Sequence, residues 1–94
     1  MQNNYETIAI INPTIEEASL KATVEKIKDL INANGKVESV EEWGNKKLAY
    51  PVKKHSEGYY VLVNFSSNPE FIDELERVYN ITDEVLKHIV IKKD

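Results

Sequence analysis

Two lysine pairs, Lys46 with Lys47 and Lys53 with Lys54, bracket an apolar centre of Leu48, Ala49, Tyr50, Pro51 and Val52. Between Asn45 and His55 there are four lysines and no carboxylate, although the whole 94-residue chain carries 16 acidic and 12 basic side chains and a formal net charge of -4. Ammonium groups at this density attract phosphate or carboxylate, so the stretch reads as a place where something anionic docks. The same residues also fit a solvated hairpin whose lysines keep an edge strand from pairing with another chain.

Other chemistry is sparse. The two histidines, His55 and His88, stand in no spacing such as HExxH that would assemble a metal site. No GxSxG elbow is present, and three scattered glycines build no phosphate-cradling loop. Glu41 and Glu42 are neighbours on a predicted strand, so they point to opposite faces and are poorly placed to share a proton. Arg77, the one arginine, lies among acids. No catalytic activity, cofactor or metal is expected.

A composition of 41% hydrophobic and 30% charged residues describes an ordinary soluble globular chain, and the length suits one domain over 1–94. The absence of Cys excludes a disulfide scaffold and fits a reducing compartment. No apolar run approaches the roughly 20 residues of a membrane span, and the start MQNNYE has no signal-peptide architecture. A cytoplasmic protein is expected. The mild acidity argues against nonspecific coating of nucleic acid but leaves room for one confined basic patch.

Six elements must position the lysines. Tyr5 to Ile11 predicts a central strand with Ile8 and Ile10 on one face and Ala9 and Ile11 on the other. Thr14 to Asn34 predicts a helix: Thr14 with Glu17 has the form of a capping box, Leu20, Val24, Ile27 and Ile31 repeat at helical spacing, and Gly35 suits a left-handed cap. Lys36 to Trp43 predicts a strand whose Val37, Val40 and Trp43 recur every third residue, a spacing that a bulge would reconcile. A bend at Gly44-Asn45 follows. Leu48 to Val52 resumes extended structure, Lys53 to Gly58 is the expected turn, and Tyr59 to Phe65 returns as a strand with Tyr59, Val61, Val63 and Phe65 on one face and Tyr60, Leu62 and Asn64 on the other. Asn68-Pro69 opens a second helix with Phe71, Ile72, Leu75, Val78 and Tyr79 as its buried stripe. Asn80 to Glu84 is a loop and Val85 to Ile91 a final strand. Residues 70–84 hold six carboxylates against Arg77, well separated in sequence from the basic stretch.

The resulting β-α-β-β-α-β order predicts an α+β, ferredoxin-like sandwich: a four-stranded antiparallel sheet with two helices on one face. The opposite face is left bare, and its Tyr60 and Leu62 form a surface for a partner. EGYYVLVNF resembles the RNA-recognition-motif signature, but Gly58 to Phe65 is one residue too long and the first strand lacks the companion aromatic.

The segments YETIAIINP, VEEWGNKKLAYPVKKHSEGYYVLVNF and VLKHIVIKK together resemble the bacterial small-subunit ribosomal protein S-six family, centred on residues 44–54. The resemblance implies a non-enzymatic, structural protein of the cytoplasmic ribosome that pairs with ribosomal protein S-eighteen and binds the central domain of small-subunit ribosomal RNA. It implies rRNA contacts at Lys46, Lys47, Lys53, Lys54, His55, Lys92 and Lys93, and partner contacts at Leu48, Tyr50, Val52, Tyr60 and Leu62. Some members of that family carry an acidic tail beyond the last strand, whereas this chain ends at Asp94. A small-molecule regulatory module of the ACT type and a stand-alone single-strand RNA binder are the alternatives on the same fold.

Overall fold

The computed structural model describes residues 2–93. Its elements run β1 (Asn3–Ile11), α1 (Glu17–Asn34), β2 (Gly35–Val52), β3 (His55–Ser67), α2 (Glu70–Ile81) and β4 (Val85–Lys92). All strand pairs are antiparallel, in the order β2-β3-β1-β4. This is the split sandwich that the sequence predicts, and among the described residues no helix is long and apolar enough to cross a membrane.

Period-two alternation sorts the strands onto two faces. Tyr5, Ala9 and Ile11 of β1 and Val61, Val63 and Phe65 of β3 pack against Val24, Ile27 and Ile31 of α1 and Phe71, Leu75 and Tyr79 of α2. Both helices therefore lie on the Tyr59 side of the sheet. Phe65, Leu75 and Ile31 are wholly buried, each worth about 1.5–3 kcal/mol in surface removed from water. Thr7 is a fully buried polar side chain of β1 on this face, and it is satisfied: its Oγ1 donates to the Ile89 carbonyl at 2.9 Å and accepts the Tyr79 hydroxyl at 2.9 Å. Burial pushes the Tyr79 phenol up to about 12.

Several local expectations are corrected. The Thr14 capping box does not form, because the Thr14 backbone N–H and hydroxyl both donate to Asn12 Oδ1 in a turn before the helix, which then starts at Glu17. Gly35 is no left-handed cap: it opens β2 in an extended conformation (φ -172°), and a side chain there would overlap the Ser66 carbonyl and Ser67 Cβ of β3. It is glycine because two backbones approach closely. Asn68-Pro69 does open α2, with Pro69 already in helical conformation and the Asn68 carbonyl accepting the Phe71 N–H, but the helix continues to Ile81, which shortens the loop before β4 to residues 82–84. Thr82 ends the helix, donating its N–H to the Tyr79 carbonyl and its Oγ1 to the Val78 carbonyl at 2.6 Å.

Candidate nucleic-acid and partner interface

The hairpin of β2 and β3 is irregular where its function is expected. Its register slips between Val37 and Ser39, between Glu42 and Gly44, and between Lys47 and Val52. The first bulge puts Val37 and Val40 on the same helix-facing side, where both pack against the core, which explains their three-residue spacing. The second releases Trp43 to the other face, where it stacks on Tyr60 at 6.3 Å between ring centroids. The third is the largest, with three more residues on β2 than on β3 between the Lys47–Glu57 and Val52–His55 pairs.

The segment that carries this surplus, residues 48–51, folds back over the open face. Leu48 is buried with Ile10 and Leu86, and Val52 and Tyr60 pack around them. Gly58 lets this happen, because a side chain at that position would overlap Ile10 Cγ2. The arm is thus anchored by its own small apolar core and does not simply protrude. Its tip is tighter than the sequence implies. Val52 pairs with His55, so the turn is Lys53-Lys54 alone and His55 to Gly58 belong to β3. Both turn residues have positive φ, 49° and 68°, the conformation of a two-residue hairpin turn that usually calls for Asn-Gly. For side-chain-bearing residues this costs roughly 1–2 kcal/mol each.

Lys46, Lys47, Lys53 and Lys54 are all exposed, and His55 is half-buried. Lys46 lies opposite Gly58 and Lys47 opposite Glu57, so the pair straddles the hairpin and Lys47 faces a carboxylate that the contiguous window hides. Lys92 pairs with Tyr5, and Lys93 donates its N–H to the Asn4 carbonyl and its Nζ to Asn64 Oδ1 at 2.9 Å. Asn64 is six residues along β3 from Gly58, about 20 Å away. Lys92 and Lys93 therefore sit at the end of the sheet opposite the hairpin tip and form no cluster with its lysines.

The predicted partner residues divide by accessibility. Tyr50 is 62% exposed, with Lys87 Nζ 3.4 Å from its hydroxyl; Tyr60 and Val52 are half-buried, whereas Leu48 and Leu62 are buried within the chain. Trp43 (42% exposed), Ile89 and Ile91 widen the apolar surface beside them. The sequence pattern does not mark these three as partner residues. Alternation in β4 was the available signal for the isoleucines, while Trp43 depends on a bulge whose place no pattern announces. On the helix side Tyr59 donates to Glu42 Oε1 at 2.7 Å, which raises the Tyr59 phenol above its ordinary range.

The comparisons with known proteins bear on what this surface is for. A sequence model of the family described as Ribosomal protein S6 matches residues 4–92. The chain is 51% identical over 92 residues to the small ribosomal subunit protein bS6 of Clostridium novyi, covering 97% of each, and 53% identical over 91 residues to that of Clostridium botulinum, covering 96% of this chain and 97% of the relative. Among solved structures, the 30S ribosomal protein S6 of Thermotoga maritima superimposes with a TM-score of 0.93 at 32% identity, over 99% of this chain and 89% of that one. An uncharacterised Thermotoga maritima protein shares the fold at TM-score 0.65 and 10% identity. With the family pattern matched over residues 4–92 and about half of the aligned residues identical to those of its members, the chain belongs to the ribosomal protein S6 family of the small ribosomal subunit.

Proposed function

We propose that this protein, a structural constituent of the small subunit in the cytoplasmic ribosome, binds the central domain of small-subunit rRNA jointly with ribosomal protein S-eighteen. The observation that carries this reading is the anchored hairpin end, which holds exposed ammonium groups beside an open apolar sheet face. In this reading Lys46, Lys47, Lys53, Lys54 and His55 meet phosphates, and Lys92 with Lys93 makes a second contact at the far end of the sheet. Tyr50, Val52 and Tyr60 meet the partner, with Leu48 and Leu62 supporting them from beneath. Phosphate contacts of this kind orient the protein on RNA and leave sequence recognition to other groups.

Magnitudes favour a joint mechanism. Four lysines on phosphates correspond to a salt slope of roughly -3, a loss on the order of 50- to 100-fold in affinity between 50 and 200 mM salt. That is weak binding for an acidic protein alone, and a partner that covers the apolar face adds what is missing. The reading is tested by ranking two variants in rRNA-fragment binding with the partner present. Lys46→Ala with Lys47→Ala is expected to cost more RNA affinity than Tyr60→Ala; the reverse ranking would mark a base-stacking binder of the RNA-recognition type instead.

A further inference from the structure

Between the hairpin tip and the corner where α2 meets β4 lies a cleft of about 280 Å³, lined by Lys53 from the tip, Asn80 from the end of α2, and Lys87 and His88 from β4, with Tyr79 at its wall. Residues 27 to 35 positions apart in sequence converge here because the surplus segment of β2 swings the tip across β1 towards β4. Among the described residues no carboxylate lines the cleft. Glu84, close in sequence, lines a different cleft with Ser19, Thr23 and Lys26. Neither Lys53 nor Lys87 is in any of the ion pairs found among the described residues. Lys53 and Lys87 thus line one concavity with an amide and an imidazole, all able to donate to an oxyanion; the Lys87 ammonium rests 3.4 Å from the Tyr50 hydroxyl, a neutral contact weaker than one to a phosphate.

The lysines could instead merely offset the negative end of the α2 dipole. Thr82 already occupies the Val78 and Tyr79 carbonyls there, which weakens that explanation. The volume lies just below the roughly 300–1,000 Å³ of a small-molecule site, so a cofactor is a poorer fit than a single backbone unit of a polynucleotide.

We propose that this cleft takes one phosphodiester of the bound RNA, held by Lys53 and Lys87 with Asn80 and His88 beside them. The proposal rests on the RNA-binding reading above and adds Lys87, Asn80 and His88 to it. Its test uses the full chain with the rRNA fragment and S-eighteen, titrated at salt concentrations from 50 to 200 mM. Lys87→Gln is expected to reduce the magnitude of the salt slope by about one, so that the affinity loss across that range becomes about 3-fold smaller, and Lys87→Arg is expected to restore the wild-type slope. Lys26→Gln, which removes an equal charge from the neighbouring cleft, is expected to leave the slope unchanged. A wild-type slope for Lys87→Gln overturns the proposal, whether or not the variant melts earlier. If Lys46→Ala with Lys47→Ala then still weakens RNA binding, only the cleft assignment has failed; if it does not, the RNA reading itself has.

Discussion

Gly58 and Ile10 share one volume: the space a side chain on Gly58 would need is filled by Ile10 Cγ2, with Leu48 Cδ2 3.6 Å away. This interlock fastens the basic hairpin to the sheet. Gly58→Ala is therefore expected to destabilise the fold by about 1–3 kcal/mol through overpacking. Combined with Ile10→Ala, which alone costs about 2–5 kcal/mol, it should be much less harmful than the sum of the two, because they compete for the same space. Urea unfolding of the two single variants and the double variant measures this coupling.

The left-handed lysines make stability and binding pull in opposite directions. Lys53→Asn with Lys54→Gly supplies the residues that the turn prefers and is expected to stabilise the protein by about 1–2 kcal/mol. The same change removes two cations and is expected to weaken rRNA binding and flatten its salt slope by about two. Thermal unfolding and salt titration of one variant check both directions.

The fold was legible because its signals are local and periodic. Alternation from Tyr59 to Phe65 and helical spacing from Leu20 to Ile31 assign faces without any knowledge of tertiary contacts. The site was legible only as a charge pattern. Lys47 reads as one of four unopposed cations until the register sets Glu57 across from it. Leu48 reads as a partner contact until the surplus on β2 turns it onto Ile10 and Leu86. Lys92 and Lys93 read as further basic residues, but antiparallel order sends them to the far end of the sheet. The Lys53–Lys87 cleft has no signature along the chain at all. The non-enzymatic character rests on family membership and not on the shortage of catalytic motifs.

Trp43 is the only tryptophan and stacks on Tyr60 at the edge of the surface assigned to the partner. Adding S-eighteen should therefore shift its fluorescence to shorter wavelength as water leaves the ring. Trp43→Ala is expected to weaken partner binding by about 1–3 kcal/mol while changing fold stability less, since the side chain is 42% exposed. Fluorescence titration and calorimetry separate the two effects.

Tyr79 links stability to alkaline pH. Its phenol is held up to about 12 by burial, against about 10 in an unfolded chain. The folded state keeps its proton where the unfolded state loses it, so this stabilisation is complete below pH 10 and is lost as the pH rises from 10 to 12, by about 2–3 kcal/mol in total. Tyr79→Phe is expected to cost about 1 kcal/mol at pH 7, because the hydrogen bond to Thr7 disappears, and to flatten that alkaline loss. Chemical unfolding at a series of pH values between 9 and 12 checks the sign.

The central claim is joint recognition: an acidic protein that reaches ribosomal RNA through one basic arm while a partner covers its bare sheet face. It is tested most directly by titrating the protein against the central-domain rRNA fragment at 150 mM salt with and without S-eighteen. The account predicts weak, salt-sensitive binding by the protein alone and tight binding once the partner is added. Tight binding that is indifferent to the partner would contradict it.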